Sequence, residues 1–415
     1  MKNLNVAIFE KTLYRSYKGG EEYDQAIERS GASKVYKIFF AQLVEENGVI
    51  QAIKLIKNQL SILNVDVVFF SLDNCFELPP SFFQDIRNKY TLIMYVGDDE
   101  HYFDRSSRYY AQSFDLVLSS SPLCAKRHEL YGVNSRYFPA SYNTSIYQSI
   151  ESVTCEEVTF IGKVSGKLGR ENYINSLKDN KNIDFAVYGI GSSKGVLTLS
   201  QMYSIYKSSK ISLNFTGVSN STILDYDITI NRRIHGLKGR CQEIAMCGGF
   251  VLTEYAPGIE ELFALGTEID TFNSLEELTS KVDFYLRNED IRKAMAEKAN
   301  VRALKYFSDI YQWSKIGEVI QDEINPNKFK TLNNIYLDQI FLKSYASFHY
   351  SKYITSMLKF NLYPWIKDIQ HFLRLGTPDI KLLTYFLRLE IYILFKHGNV
   401  VLRFIYSVCR KYLKR

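Results

Sequence analysis

Short apolar runs alternate with amphipathic stretches through the first 150 residues of the chain. Four of the runs have the length of buried strands: 5–9, 65–70, 92–96 and 116–118. Between them, segments 50–63 and 80–89 carry apolar side chains at helical spacing. Strands that alternate with helices in this way predict a parallel, doubly wound sheet, in which ligands bind beyond the carboxyl ends of the strands.

The same alternation starts again after a polar stretch at 143–156. Four further apolar runs predict strands: 158–162, 185–188, 211–215 and 250–253. We therefore predict two doubly wound α/β domains, the first at 1–150 and the second at 151–330.

Helical patterns dominate the rest of the chain. Ser274 and Glu277 have the spacing of a capping box and predict the start of a helix. Segment 310–324 predicts another helix, and residues 331–415 read as a helical extension rich in Leu, Ile, Phe and Tyr with Lys and Arg at intervals.

The net charge of +6 comes from this extension. Residues 331–415 hold 13 Lys and Arg against 4 Asp and Glu, whereas residues 1–330 hold 38 against 41. Basic amphipathic helices can lie on an anionic membrane, so one interpretation of 381–415 is a membrane-surface contact. The other is a small helical bundle packed on the two domains or on a second protomer. Binding to nucleic acid is disfavoured, because the basic residues accompany large aliphatic side chains.

The cysteines and the apolar runs indicate the cellular compartment of the protein. The six cysteines form no C-x-x-C pair and have no metal-ligand spacing with the six histidines, so we predict no metal site and a reducing environment. The apolar run at the N-terminus is too short for a signal peptide, and no stretch of roughly 18 apolar residues runs without a charge. We expect a cytoplasmic protein, peripheral to the inner membrane face if the extension binds lipid.

A short helix at 240–246 has the sequence signals of an anion-binding site. Gly239 can serve as its N-cap, and Gly248 with Gly249 predicts its end. Basic residues precede or begin it: Arg232, Arg233, Lys238 and Arg240. Free N–H groups and the positive end of the helix dipole would favour a phosphate or diphosphate there.

Glu243 lies about one turn into this helix. A carboxylate there could accept hydrogen bonds from ribose or sugar hydroxyls. The alternative is that Glu243 only complements the helix dipole and that the basic residues form a solvated face.

The strand at 158–162 ends in a second glycine-containing segment. Gly162 and Lys163 lead into a loop and then into an amphipathic helix, and the loop carries further small and basic residues: Gly166, Lys167, Gly169 and Arg170. This arrangement lets a backbone approach a phosphate, although the spacing is not that of a P-loop and an ordinary β–α turn is the alternative.

Acidic residues and a histidine follow the strand at 92–96. Asp98, Asp99 and His101 could bind or deprotonate a hydroxyl acceptor at the carboxyl end of that strand. The alternative is that Asp98 or Asp99 caps the following helix.

These motifs together resemble a known family. FIGK at the start of the second α/β half, with GRCQEIAMCGGFVLTEYAPGIEELF further on, looks like the donor-binding domain of GT-B glycosyltransferases of group 1, in particular the CgeB-like proteins. The run EIDTFNSLEELTSKVDFYLRNEDIRKAMAEKANVRALKYFS is similar to the strand and helices that follow in that family. The resemblance covers roughly 155–310, is looser over 1–150, and does not extend into the last 85 residues.

The resemblance implies a function. It predicts two Rossmann-like domains with a helical extension, a nucleotide-sugar donor on the second domain, and a glycan, lipid-linked or protein acceptor on the first, without a cofactor. Arg240 and Glu243 match family residues, Glu243 being the second glutamate of an E-x7-E motif that contacts ribose. The donor residues that we expect are Gly162, Lys163, Arg170, Arg240, Glu243, Gly248, Gly249 and Thr253.

The chain departs from this family at one position. The first glutamate of the motif falls on His235, which leaves open how the hydroxyls of the donor sugar are held. Two alternatives to glycosyl transfer follow: an epimerase of the GT-B type that acts on nucleotide-sugars, and a non-catalytic sugar-binding or assembly subunit.

Overall fold

The chain builds two parallel sheets, one from each half of the sequence. The structure is a computed structural model and describes residues 3–11, 23–72, 76–147, 149–164, 169–217, 235–237, 239–323, 335–358 and 368–397. The predicted α/β class is confirmed.

The first sheet contains the strands β1 (Asn5–Glu10), β2 (Lys34–Phe39), β3 (Val67–Ser71), β4 (Thr91–Val96), β5 (Leu116–Ser119) and β6 (Ser135–Tyr137). All pair in parallel, in the order β2-β1-β3-β4-β5-β6. The helices of this half are α1 (Tyr23–Arg29), α2 (Phe40–Asn47), α3 (Val49–Ile62), α4 (Pro80–Ile86), α5 (Asp99–Tyr102), α6 (Arg108–Ala111) and α7 (Pro122–Leu130). A π-helical turn, Phe103–Ser107, joins α5 to α6.

The second sheet contains the strands β7 (Val158–Ile161), β8 (Phe185–Tyr188), β9 (Ile211–Asn214), β10 (Val251–Glu254) and β11 (Asp270–Phe272). These strands are also parallel, in the order β11-β10-β9-β7-β8. The helices are α8 (Arg170–Asp179), α9 (Leu199–Ser208), α10 (Arg240–Met246), α11 (Leu275–Arg287) and α12 (Glu289–Tyr306). Because β8 lies on one side of β7 and β9 on the other, the connections diverge between β7 and β9, and ligands of such sheets bind at the carboxyl ends beside that point.

The predicted strands lie within two residues of their observed positions, and the helix predicted at 80–89 ends earlier, at Ile86. Several elements have no counterpart among the predictions, among them strand β2 and helices α1, α2, α7 and α9. β2 was not predicted, because its sequence KVYKIF has only Ile38 buried and so lacks a continuous apolar run. The boundary predicted near residue 150 falls between β6 and β7, and the division into 1–150 and 151–330 stays a prediction. Ser274 caps α11, as its spacing with Glu277 predicts: its hydroxyl accepts the N–H of Glu277 at 3.1 Å.

Helix α13 (Asp309–Glu323) returns from the second half to the first sheet. Trp313 is fully buried and its ring lies 5.2 Å from that of Phe69 on β3. The two chain segments that run between the sheets are also joined, because Tyr142 N–H donates to the Phe307 carbonyl and Asp309 N–H to the Tyr142 carbonyl, both at 2.9 Å. The helix predicted at 310–324 is confirmed.

The extension contributes α14 (Gln339–Leu358), α15 (Ile369–Arg374) and α16 (Ile380–His397). Phe341, Phe348 and Phe386 surround Phe76 of the first half, with ring centroids 5.8 to 6.2 Å away. Packing on the first domain is therefore confirmed for the described part of the extension, whereas residues 398–415 of the predicted helical extension lie outside the described residues. None of the helices described combines the length and apolar character needed to cross a bilayer.

Candidate functional site

Two arginines that are distant in sequence, Arg170 and Arg240, lie near the carboxyl ends of β7 and β9. Gly162 follows β7, Arg170 begins α8, and Arg240 begins α10. The guanidinium carbons of Arg170 and Arg240 each lie 5.2 Å from the centroid of the Phe160 ring. Two predicted phosphate ligands are thus held beside one aromatic ring, at the point where such sheets bind ligands.

Arg170 is fixed by backbone oxygens. Its Nη1 donates to the Lys163 carbonyl at 2.8 Å and its Nη2 to the Phe215 carbonyl at 3.1 Å. Burial, with Arg240 as a second cause, lowers the pKa of Arg170 to about 10, so that the side chain remains a cation near neutral pH. Lys163 contributes its carbonyl to this arrangement, while its side chain is exposed.

Gly162 makes room for the second arginine. A Cβ at this position would lie 2.8 Å from Phe160 Cζ and 2.9 Å from Arg240 Nη2, both closer than real Cβ atoms come. Any side chain at Gly162 would therefore push Arg240 or Phe160 aside. Gly162, which we predict as a backbone contact for the donor, also leaves the space that the Arg240 guanidinium occupies.

Asn214 at the end of β9 orients Arg240, and the sequence reading did not single it out. Its Oδ1 accepts from Arg240 Nη1 at 2.6 Å, and its Nδ2 donates to Thr253 Oγ1 at 2.8 Å and to Cys241 Sγ at 3.2 Å. Thr253, predicted as a donor ligand, is fully buried and instead positions this amide. The available signal was a polar residue at the end of an otherwise apolar strand.

Glu243 is a partly buried carboxylate on the same short helix. Among the described residues its carboxylate accepts no hydrogen bond and forms no ion pair, and burial raises its pKa to about 7 against the opposing effect of Arg240. It lies close enough to Tyr142 and Tyr147 that, after burial, its charge is the next largest cause of their raised pKa. A carboxylate in such surroundings is stabilised by a ligand that donates hydroxyl hydrogens to it.

The first turn of α10 is tied to the segment that crosses between the sheets. Tyr142 donates its hydroxyl to the Gly239 carbonyl at 3.0 Å, and Glu243 N–H donates to the same oxygen at 3.0 Å. A Cβ on Gly239 would collide with the Tyr142 hydroxyl. Gly239 is therefore needed for close packing at the start of the helix.

Gly248 and Gly249 end α10 and do not join the cationic cluster. Gly248 N–H donates to the Ala245 carbonyl and Gly249 N–H to the Ile244 carbonyl, both at 3.0 Å, which is the pattern of a Schellman C-cap. Seven residues of helix separate them from Arg240, a rise of about 10 Å. These C-cap bonds give both glycines a structural role, and the donor contact that we predict for them stays a prediction.

Asp99, predicted on the acceptor side, is enclosed within the first half. It is fully buried, and its carboxylate accepts from Ser107 Oγ at 2.5 Å and Ser119 Oγ at 2.7 Å and lies 3.0 Å from His128 Nε2. These contacts give Asp99 a structural role in holding the turn after β4, and its predicted contact with an acceptor stays a prediction.

Asp98 and His101 remain nearer the surface. Asp98 is exposed, has a φ of +50°, and makes no side-chain capping bond, so the alternative that its side chain caps α5 is wrong. Its N–H donates to Ser120 Oγ at 3.0 Å. His101 is partly buried one turn later, and its N–H donates to the Asp98 carbonyl at 3.0 Å. These two residues stay the acceptor-side candidates.

Some predictions fall where the structure does not reach. The basic residues Arg232, Arg233, Lys238 and Lys167, together with Gly166, lie outside the described residues. Within the described ranges, no group of three or more His, Cys, Asp or Glu side chains could hold a metal ion. The absence of a cofactor stays a prediction.

Comparison with known proteins agrees with this geometry. A family model described as glycosyl transferase-like matches residues 170–314, a segment that begins at Arg170 and contains Asn214, Arg240 and Glu243. A comparison with curated proteins gives no match.

Solved structures share the two-sheet architecture. A sucrose-phosphate synthase from Thermosynechococcus elongatus is similar with a TM-score of 0.55 and 8% identity, over 77% of this chain and 98% of that chain. A glycosyltransferase from Rickettsia africae gives 0.54 and 13%, over 77% and 98%. Anabaena Alr3699/HepE in complex with UDP-glucose gives 0.52 and 11%, over 77% and 100%. The chain therefore has the GT-B fold, and the family match at 170–314 together with this fold supports glycosyl transfer.

Proposed function

We propose that the chain is a glycosyltransferase that moves a sugar from a nucleotide-sugar donor to a hydroxyl acceptor, within the CgeB-like group that its motifs resemble. The observation that carries the proposal is the pair of cations, Arg170 and Arg240, held beside Phe160 at the switch point of the second sheet. Burial and, after it, the positive charge of Arg240 lower the pKa of Arg170, and a bound diphosphate would stabilise both cations.

The donor would lie with its diphosphate on the arginine pair and its ribose on Glu243. A ribose hydroxyl would supply the hydrogen-bond donor that this carboxylate lacks among the described residues. The complex of HepE with UDP-glucose supports a nucleotide-sugar as the ligand of this fold. The base and the sugar of the natural donor are to be found by experiment.

In the reaction, the bond between the anomeric carbon and the diphosphate oxygen breaks and a bond from the acceptor oxygen forms. The state between them has oxocarbenium character, as in glycoside hydrolysis. Negative charge grows on the departing diphosphate, where Arg170 and Arg240 would stabilise it without moving. The acceptor hydroxyl loses its proton, and Asp98 or His101 at the end of β4 would bind that hydroxyl or accept the proton.

A thermal-shift screen against nucleotide-sugars tests the donor assignment, because a ligand that binds the folded state raises the apparent melting temperature. We expect at least one nucleotide-sugar to stabilise the wild-type protein and to stabilise Glu243→Ala less. Glu276→Ala, which removes an exposed carboxylate on α11, is the matched control and should respond like the wild type. Equal donor affinity of wild type and Glu243→Ala in calorimetry would overturn the ribose assignment.

Product analysis separates transfer from the two alternatives. With the stabilising donor and a panel of hydroxyl acceptors, a transferase yields free nucleoside diphosphate and a glycosylated acceptor. Conversion of the sugar with no acceptor present would identify an epimerase, and binding without any turnover across the panel would identify a non-catalytic subunit.

We place the reaction in the synthesis of bacterial surface polysaccharide or glycoconjugate, in the cytoplasm and at the inner face of the membrane. The basic balance of residues 331–415 supports this setting. Co-sedimentation with anionic vesicles that is absent with neutral vesicles would support it, and no binding to either would contradict it.

A further inference from the structure

The end of β10 carries an acidic residue that the donor assignment does not use. Glu254 is the last residue of the strand, and its Oε2 accepts from Thr216 N–H at 2.8 Å and from Gly217 N–H at 3.0 Å. Its other oxygen, Oε1, makes no hydrogen bond among the described residues. Backbone N–H groups thus fix Oε2, and Oε1 can accept a hydrogen bond from a ligand.

His235 lies beside this carboxylate. Its Nδ1 is 2.9 Å from Thr216 Oγ1 and 3.8 Å from Glu254 Oε1, and the side chain is 32% exposed, against 11% for Glu254. His235 is the residue at which the resemblance expects a glutamate. A carboxylate is therefore present near that position, but it comes from Glu254 on the neighbouring strand.

The hydrogen bonds around Thr216 fix the roles of these groups. Thr216 has one hydroxyl hydrogen, and its contacts with Glu254 Oε2 and the Tyr255 carbonyl, both at 3.2 Å, require it to donate. It must then accept from His235, which places the histidine hydrogen on Nδ1 and leaves Nε2 as an acceptor in the neutral ring. Glu254 Oε1 and His235 Nε2 are consequently two acceptors on neighbouring side chains.

This pair adjoins the arginine pair. Arg170 donates to the carbonyl of Phe215, and Glu254 accepts from the next residue, Thr216. The charge of Glu254 also raises the pKa of Arg170, opposing the effects of burial and Arg240. In a nucleotide-sugar the sugar is bonded directly to the diphosphate, so groups next to the diphosphate cations are placed to contact the sugar.

We infer that Glu254 and His235 bind the hydroxyls of the donor sugar and select a neutral hexosyl group over a uronic acid. This inference rests on the proposed function. Sugar hydroxyls donate to both acceptors, whereas the carboxylate of a uronate would meet the Glu254 carboxylate and be repelled. Glu254 and His235 thereby take the place of the glutamate that the chain lacks at position 235.

Calorimetric titrations with a nucleoside diphosphate and its sugar conjugates test the inference. The probes are UDP, UDP-glucose and UDP-glucuronate, followed by GDP with GDP-mannose and dTDP with dTDP-glucose. We expect Glu254→Gln to weaken binding of the hexose conjugate about tenfold, the effect of one hydrogen bond to a charged group, and to leave the diphosphate unchanged. In the same variant, the ratio of the affinities for UDP-glucose and UDP-glucuronate should be smaller than in the wild type.

Two control variants distinguish a failure of the proposed function from a failure of this inference. Glu297→Gln removes an exposed carboxylate on α12 and should match the wild type, while His235→Ala should weaken only the sugar conjugate. If no diphosphate binds the wild type, the proposed function fails. If the diphosphate binds but Glu254→Gln weakens diphosphate and conjugate equally, or neither, then Glu254 only orders the turn at Thr216 and the inference is overturned.

Discussion

The carboxyl ends of the two sheets present charge in opposite ways. At the second sheet, Arg170 and Arg240 both contact the Phe160 ring, and the Glu243 carboxylate has no hydrogen-bond partner among the described residues. At the first sheet, Asp99 is fully buried and its contacts are with residues of its own half. The Asp99 carboxylate has hydrogen-bond partners on both oxygens, whereas the Glu243 carboxylate has none among the described residues. A charged group without a hydrogen-bond partner is more typical of a ligand site than of a structural cluster.

Removing Asp99 should have the largest effect and should act on stability. In Asp99→Ala, the hydroxyls of Ser107 and Ser119 and the ring of His128 lose their buried acceptor, at a cost of about 3 kcal/mol in the free energy of unfolding. Asp98→Asn, at an exposed position and with a residue that tolerates the same left-handed backbone, should change it by less than about 0.5 kcal/mol. Urea denaturation measures both. Equal stability of the two variants would remove the contrast between the sheet ends.

Removing the Arg240 cation should act on donor binding. We expect Arg240→Gln to weaken the affinity for the donor by about 2 kcal/mol, or roughly 30-fold, because one charged contact with the diphosphate is lost. Arg287→Gln, on the exposed face of α11, controls for the change in net charge. Calorimetry with the donor found in the screen measures both, and the same affinity for both variants would contradict a role of Arg240 in phosphate binding.

The raised pKa of Glu243 predicts a smaller, pH-dependent effect. A carboxyl with a pKa of about 7 in the folded protein, above its usual 4.5, binds protons more tightly when folded. Its contribution to stability therefore declines as pH rises from about 4.5 to about 7. Donor binding should change in the opposite direction, because the ionised carboxylate is the better acceptor for ribose hydroxyls.

Donor affinity should accordingly rise by up to about tenfold between roughly pH 6 and pH 8, with release of a proton. Calorimetry in buffers of different ionisation enthalpy measures both quantities. In Glu243→Gln the dependence should disappear, and a dependence that persists in this variant would assign it to another group.

Local patterns predicted most of the fold, because the strands of a parallel sheet are buried on both faces and form continuous apolar runs. Helix α10 was predicted from its flanking glycines and is found at Arg240–Met246. Edge strand β2 was not predicted, because Lys34 and Lys37 interrupt its apolar pattern and only Ile38 is buried.

The site could be predicted only in part. Arg170 and Arg240 each follow a glycine at the start of a helix, a signal that the sequence carries, and Glu243 lies about one turn after Arg240. Asp99 contacts His128, and Asn214 accepts a hydrogen bond from Arg240; in both pairs the residues are far apart in sequence. A short stretch of sequence therefore does not contain either contact. Both arise when parallel strands align their ends.

We propose that the nucleotide-sugar binds at the switch point of the second sheet. A crystal structure of the protein with the nucleoside diphosphate that stabilises it is the most direct test. We expect the diphosphate within hydrogen-bond distance of Arg170 and Arg240 and a ribose hydroxyl on Glu243. A diphosphate bound at the first sheet beside Asp98, or away from both sheet ends, would contradict the account.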